Sequence, residues 1–218
     1  MWVRQLFVML LMGVMLAGCH SSSRVVGNGN IEKEVRSLGD FTRLSVYGNT
    51  VVNYKPSSVQ SVAVQADSNI IPLIQTQVQN GVLIIRSQPG AVFTTKNPIV
   101  INLASTSLVD VHSSGANTVN MADLNLDALT IDFNGSGQGV FSGKVNRVRY
   151  SLVGASQLDA RALKAKQADV QLIGASELSI SVSDKLNVSV SGVGKLTYFG
   201  SPTISQSISG LGVIQSGK

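Results

Sequence analysis

Apolar and polar residues alternate along most of this chain, and glycine interrupts the alternation at regular intervals. From residue 110 onward one phrase recurs six times. It reads Ser114-Gly115-Ala116-Asn117-Thr118-Val119, then Asn134-Gly135-Ser136-Gly137-Gln138-Gly139, then Val153-Gly154-Ala155-Ser156-Gln157-Leu158. It continues as Ile173-Gly174-Ala175-Ser176-Glu177-Leu178, Ser191-Gly192-Val193-Gly194-Lys195-Leu196 and Ser209-Gly210-Leu211-Gly212-Val213-Ile214. The leading glycines are 20, 19, 20, 18 and 18 residues apart. Two residues before them stand Ser113, Phe133, Leu152, Leu172, Val190 and Ile208; four before stand Val111, Ile131, Tyr150, Val170, Val188 and Gln206. A period of two marks a strand with one buried face. Beyond the turn, a second short strand places Val119, Leu158, Leu178, Leu196 and Ile214 in one column.

A unit of this length cannot bury its own apolar face, so successive units must stack. At about 3.3 Å per residue it holds roughly three short strands and their corners. The pattern therefore predicts an all-β fold, a right-handed parallel β-helix with coils of 18–20 residues and glycines at the corners. A leucine-rich repeat needs a Leu and Asn phrase that is absent, and a sandwich would not hold the period. Residues 26–105 are β-rich but less regular. Strands are expected at 43–47, 51–54, 59–65, 82–86 and 99–103, with a short helix near 70–75.

The first residues have a different character. Arg4 precedes an apolar run at 6–16, broken only by Gly13, which is too short to cross a bilayer. The run ends in Leu16-Ala17-Gly18-Cys19, a pattern that resembles a bacterial lipobox. That resemblance implies a diacylglyceryl group on Cys19, cleavage before it, and a membrane anchor made by the acyl chains. His20 stands where Asp typically signals inner-membrane retention, so the sorting position leans towards the outer membrane. The expected organisation is a lipoprotein signal peptide at 1–18, a tether at 19–25 and one domain at 26–218, its regular coils starting at 106.

Within 26–105, Gly-Asn-Gly-Asn-Ile at 27–31 precedes Phe41-Thr42-Arg43-Leu44-Ser45-Val46. Val64-Gln65-Ala66-Asp67-Ser68-Asn69-Ile70-Ile71-Pro72-Leu73-Ile74 and Gly81-Val82-Leu83-Ile84-Ile85 follow. These phrases, in this order and followed by the glycine repeats, resemble the bacterial head-GIN domain family, assigned to the heads of auto-transporter adhesins. The resemblance covers residues 26–217. It implies a right-handed β-helix in secreted or lipid-anchored proteins, with adhesion as an associated label. This chain departs from the family's Ser-Gly-Ser-Gly-Asp phrase: the second glycine becomes Asn117, Ser156 and Ser176, and those Ser corners are expected to wind differently. The acidic position reads Thr118, Gln138, Gln157, Glu177, Lys195 and Val213, which removes a carboxylate ladder for calcium.

Composition narrows the chemistry. Of 218 residues only 13% are charged and 5% aromatic, and the single Cys excludes an internal disulfide. Loss of the leader would remove the only Trp, Trp2, together with Arg4, lowering the formal charge from +5 to +4. In a stacked solenoid, residues of one column are neighbours. Asp132 then lies between His112 and Ser151, and Asp159 between Val140 and Ser179, so no column places two acids on successive coils. Asp110 and His112 face the same way, and read as a surface pair rather than a dyad. No Ser has a positioned His and Asp, and two His with an acylated Cys make no zinc site. The reading is a non-enzymatic binding module without cofactor or metal; the alternative is a carbohydrate-active β-helix enzyme acting on an envelope polysaccharide. Phe133 and Tyr150 fall in inward columns, which argues against an aromatic sugar platform. The remaining candidate is a basic cluster, Lys144, Arg147, Arg149, Arg161, Lys164 and Lys166, expected on one face with Asp159 as the only acid nearby. It reads as an anion site for lipid head groups or acidic polysaccharide, or as a solvated face that blocks edge pairing. A protein partner is another option, and nucleic acid is not expected of an exported protein. The last coil, 206–217, leaves an open edge that invites self-association.

Overall fold

A computed structural model describes residues 24–217; Cys19, His20 and the apolar leader lie outside the described residues. The described chain is nearly all-β, 72% of it strand, arranged as a β-solenoid of about 5 turns. It contains no α-helix, only a 3-10 turn at Ile71–Leu73.

The regular part is built as the periodicity requires. Strands β10 (Asp110–Gly115), β11 (Thr118–Gly135), β12 (Gln138–Gly154), β13 (Gln157–Gly174) and β14 (Glu177–Gly192) pair in parallel, each on the one before. Strands β15 (Lys195–Phe199), β16 (Thr203–Gly210) and β17 (Val213–Ser216) complete the stack. Each long strand bends twice around the core. The bends show where inward–outward alternation breaks into two or three consecutive exposed residues, as at Asn146-Arg147, Lys166-Gln167 and Ser183-Asp184-Lys185. Three flat faces result. In β12 they carry residues 138–141, 144–146 and 148–153, called here the first, second and third faces.

Inward columns form the core. Val111, Ile131, Tyr150, Val170 and Val188 are all buried, as are Ser113, Phe133, Leu152, Leu172 and Val190. The first-face column Val119, Leu158, Leu178 and Leu196 is interrupted by Gly139, whose missing side chain is replaced by the ring of Phe141, 2.7 Å from where a Cβ would stand. At about 1.5–3 kcal/mol per buried Leu, Ile, Val or Phe, these columns are the main driving force. The burial ends with the stack: Ile208 and Gln206, in the same columns, are exposed because among the described residues no further coil covers them.

Glycines 115, 135, 154, 174, 192 and 210 stand in direct register, and Gly48 begins their column. All seven have φ between +102° and +131°. A Cβ on Gly174 would meet the carbonyl oxygen of Gly154 at 2.5 Å, so both backbone angle and close approach demand glycine. The Ser corners do not wind differently: none of Asn117, Gly137, Ser156, Ser176, Gly194 and Gly212 has positive φ, and Asn117, Ser156 and Ser176 are buried. Their side chains instead satisfy backbone groups of the neighbouring coil and, for Asn117, of its own turn. Asn117 accepts from Thr50 N at 3.0 Å and donates to Ser114 O at 3.0 Å, while Ser156 and Ser176 donate to Gly135 O and Gly154 O at 3.3 Å. Where this position is Gly137, the ring of Phe133 occupies the space.

The N-terminal part winds out of sequence order. Strands β3 (Arg43–Gly48) and β4 (Val51–Pro56) form one coil, on which β10 and β11 stack. Between them in sequence, the chain turns back and lays β7 (Val82–Ser87) beside β3 and β9 (Val100–Ser105) beside β4 on the opposite side. Antiparallel β2 (Ile31–Arg36), β5 (Ser61–Asp67) and β6 (Ile74–Gln79) then close that end. The helix expected at 70–75 shrinks to the 3-10 turn, because Ile74 opens β6. Asn80 and Gly81, both with positive φ, fold β6 onto β7 through an Asn-Gly hairpin. Val25–Val26 (β1) pairs with Phe93–Thr94 (β8), so strand structure begins inside the expected tether.

Two of the phrases that carry the family resemblance, 27–31 and 64–74, meet in a polar knot. Asp67 is 1% exposed and accepts from Gly29 N at 2.8 Å, Asn97 Nδ2 at 2.9 Å and the Thr95 hydroxyl. Asn28 bonds Asn69 and Ser68, and Asn69 Nδ2 returns to Val26 O. Hydrogen bonds from Thr95 and Asn97 hold the Asp67 carboxyl below the ordinary range against the upward pull of burial.

Candidate functional site

The third face carries outward polar columns. One runs Arg43, Asp110, Thr130, Arg149, Asp169, Asn187 and Ser205; the next runs Ser45, His112, Asp132, Ser151, Gln171, Ser189 and Ser207. Residues of both columns, from Thr130 to Ser207, line an open groove of about 730 Å³. The registers of Asp132 with His112 and Ser151, and of Asp159 with Val140 and Ser179, agree with the column assignment from sequence. Among the described residues Asp132 is the one carboxyl pushed upward: burial and the Asp110 charge raise it, while His112, Arg149 and Ser151 oppose. His112 also meets Tyr47, ring centroids 6.0 Å apart. Phe133, Phe141 and Tyr150 are core.

The six basic residues do not form one patch, because the bends turn them to different faces. Arg149 lies in the third-face groove beside Asp169, its partner in register. Arg161 points to the first face, where Nη2 holds Asp159 Oδ2 at 2.5 Å and Nε holds Oδ1 at 2.9 Å. Arg147, at the bend between the second and third faces, pairs with Asp127 Oδ2 at 3.2 Å. Asp159 is therefore not the only acid nearby. Asp127 and Asp169 escaped the reading because they lie one coil away from their partners, about 20 residues distant in sequence.

Lys144, Lys164 and Lys166 do come together, on the second face. Lys144 and Lys164 are in register on adjacent coils, and Lys166 stands two residues along, pointing the same way. Lys164 Nζ is fixed by Arg161 O at 2.9 Å and Ser181 Oγ at 3.1 Å. The three lysines line an open groove of about 680 Å³ with Leu126, Phe199 and the backs of Val145, Ala165 and Val182. No acidic residue lines it, and among the described residues none of the three lysines forms a salt bridge. The groove thus combines an apolar floor with three ammonium groups that form no salt bridge among the described residues, the Lys166 charge also acting on Asp127 at the adjoining bend. Among the described residues no group of three or more His, Cys, Asp or Glu is placed to hold a metal ion, and no helix is long and apolar enough to cross a membrane.

Stacked parallel coils, a glycine corner ladder and an antiparallel cap define a class of β-solenoid modules that present flat, columnar faces. The chain belongs to the head GIN domain family: the family described as "Putative auto-transporter adhesin, head GIN domain" matches residues 40–202. Solved structures share the fold. A "putative adhesin" from Bacteroides fragilis is 19% identical, with a TM-score of 0.71, covering 88% of this chain and 99% of its own. A "Putative lipid binding protein" from Parabacteroides distasonis is 21% identical, with a TM-score of 0.56, covering 90% of this chain and 100% of its own. A "putative adhesin" from Parabacteroides merdae is 20% identical, with a TM-score of 0.51, covering 89% and 99%. Among curated proteins none matches.

Proposed function

We propose that this protein is a non-enzymatic binding module of the cell envelope, anchored by a lipid on Cys19 and directed to the outer membrane. In this reading residues 1–18 are cleaved, 19–25 form the tether and 26–218 are the binding domain. The observation that carries the binding role is the second-face groove. Lys144, Lys164 and Lys166 suit a phosphate or carboxylate head group, while Leu126 and Phe199 suit the apolar portion of an amphiphile. The adhesin and lipid-binding descriptions of family and neighbours agree with a binding role. Strand β1 packs at the capped end, so an anchor on Cys19 would leave the regular coils pointing away from the membrane.

Two measurements test this. Cys19→Ser should release the protein from membranes, and unchanged retention would refute the anchor. Residues 20–218 should bind vesicles containing anionic phospholipid and not neutral ones. At about 1 kcal/mol per lysine near an anionic surface, the triple Lys144→Gln, Lys164→Gln, Lys166→Gln variant should bind roughly 100-fold more weakly. Equal binding by the variant refutes the groove; binding to acidic polysaccharide alone reassigns its ligand. A second reading, a carbohydrate-active enzyme, is favoured by the raised Asp132 carboxyl beside Asp110 and His112 in the third-face groove. Turnover of any polysaccharide in a panel, abolished by Asp132→Asn, would replace the binding-module reading.

A further inference from the structure

The second-face groove has a direction. Lys144, Lys164, Ser181 and Phe199 stand in register on four successive coils. One column therefore runs cation, cation, hydroxyl and aromatic ring along the solenoid axis. At about 4.8 Å per coil, Phe199 lies about 10 Å from Lys164 and about 14 Å from Lys144. The charged end is pre-arranged. Arg161–Leu163 have no partner in β14, because Ala160 pairs with Ile180 and Lys164 already with Ser181. This extra loop of chain brings the Arg161 carbonyl to the Lys164 ammonium, which donates to it and to the Ser181 hydroxyl. Ser181, 7% exposed, itself donates to Arg161 O at 2.7 Å. Two of the three ammonium protons are thus engaged, and one is left for a ligand. Between the two ends the floor is the backs of Val145, Ala165 and Val182.

We infer that the groove takes one single-chain amphiphile lying along the solenoid axis. Its anionic head group, a phosphate monoester or a carboxylate, sits at Lys144 and Lys164, and its chain runs over Val182 to Phe199. This rests on the binding role proposed for the groove and adds which class of molecule fills it and in which direction. The occupant follows from the placement of charge and apolar surface. An anionic membrane surface can engage the lysines, but its acyl chains run away from the head-group plane and leave the Phe199 end without an apolar partner. A chain lying flat covers Val182 and Phe199 while its head stays at the lysines. The second face is three residues wide, 144–146, or about 7 Å, which has room for one extended chain and not for two side by side.

Titration of residues 20–218 with n-alkyl phosphates and with fatty acids of increasing length, each below its micelle-forming concentration, tests this. Affinity in at least one series should rise by about twofold to fourfold per methylene, fourfold being full burial, and level off once the chain reaches Phe199. The stronger series names the head group. Phe199→Ser should move the plateau to shorter chains and leave the shortest chains bound as before. Lys164→Gln should weaken every chain length by the same factor, about fivefold. The series on the unaltered protein stands even if a variant fails to fold. Affinity independent of chain length would overturn the inference. So would binding of anionic phospholipid vesicles with no binding of either series, an outcome that leaves the lysine groove itself in place. Absence of binding to both the vesicles and the two series would remove the groove reading as well.

Discussion

At Gly174 a single methyl group is too much. Its φ of +102° excludes ordinary L-residues, and the carbonyl of Gly154 lies where the Cβ would go. Gly174→Ala combines a backbone penalty of about 1–2 kcal/mol with an overlap costing about 1–3, and should lower unfolding stability by about 2–5 kcal/mol in denaturant titration. Gly90, with φ +78° and open space around it, isolates the backbone part: Gly90→Ala should cost about 1–2 kcal/mol. Asp67 provides a pH-dependent counterpart. Its carboxyl is held below the ordinary value of 3.8 in the fold, so its stabilisation is complete above that value and is lost as pH falls through the depressed one. Hydrogen exchange at Gly29 should therefore stay slow from neutral pH down to the acid range and accelerate below it, beyond the intrinsic trend. In Asp67→Asn that acid step should vanish. The Gly154 partner of Gly174 follows from the stacked repeat, which sets the two glycines in one column, whereas the Gly27–Asn30 loop meets Asp67 only through folding.

Individual strands contribute according to how many coils cover them. Leu172 lies between Leu152 and Val190 and is fully buried, whereas Ile214 in the last strand is half-covered. Leu172→Ala should cost about 2–5 kcal/mol, and Ile214→Ala about 1 kcal/mol, measured by thermal or chemical unfolding. Equal costs would mean that the last coil is as well packed as the middle. At this scale the regular coils were readable, because one-face burial leaves a period-two trace and each corner needs the same glycine. The bends within each coil were not: they show only as paired exposed residues, such as Asn146-Arg147, and without them six basic residues look like one patch. The helix expected at 70–75 failed for a similar reason, since the apolar run there is shared between a 3-10 turn and the start of β6. Asn80-Gly81 is a hairpin dipeptide that the helix reading passed over; it fits strands on both sides rather than a helix before it.

For the molecule as a whole, the hidden element was the order of winding. Gly48 belongs to the same column as the later corner glycines, but 67 residues separate it from Gly115, and that excursion supplies β5 to β9. A repeat search sees only neighbours in sequence, so the first coil was read as irregular. The cap built by the excursion closes the N-terminal end, which the repeats alone could not show. The glycine ladder has a further consequence for the dimensions of the molecule. Nine strands are stacked on the third face, from β6 to β16, giving a height of about 38 Å at about 4.8 Å per step. Every corner repeats the same register, so excising residues 155–174 would join Gly154 to Ala175 with each column still aligned. The solenoid is in effect a ruler graduated in single coils: its reach can lengthen or shorten by one step without redesign of the packing at either end.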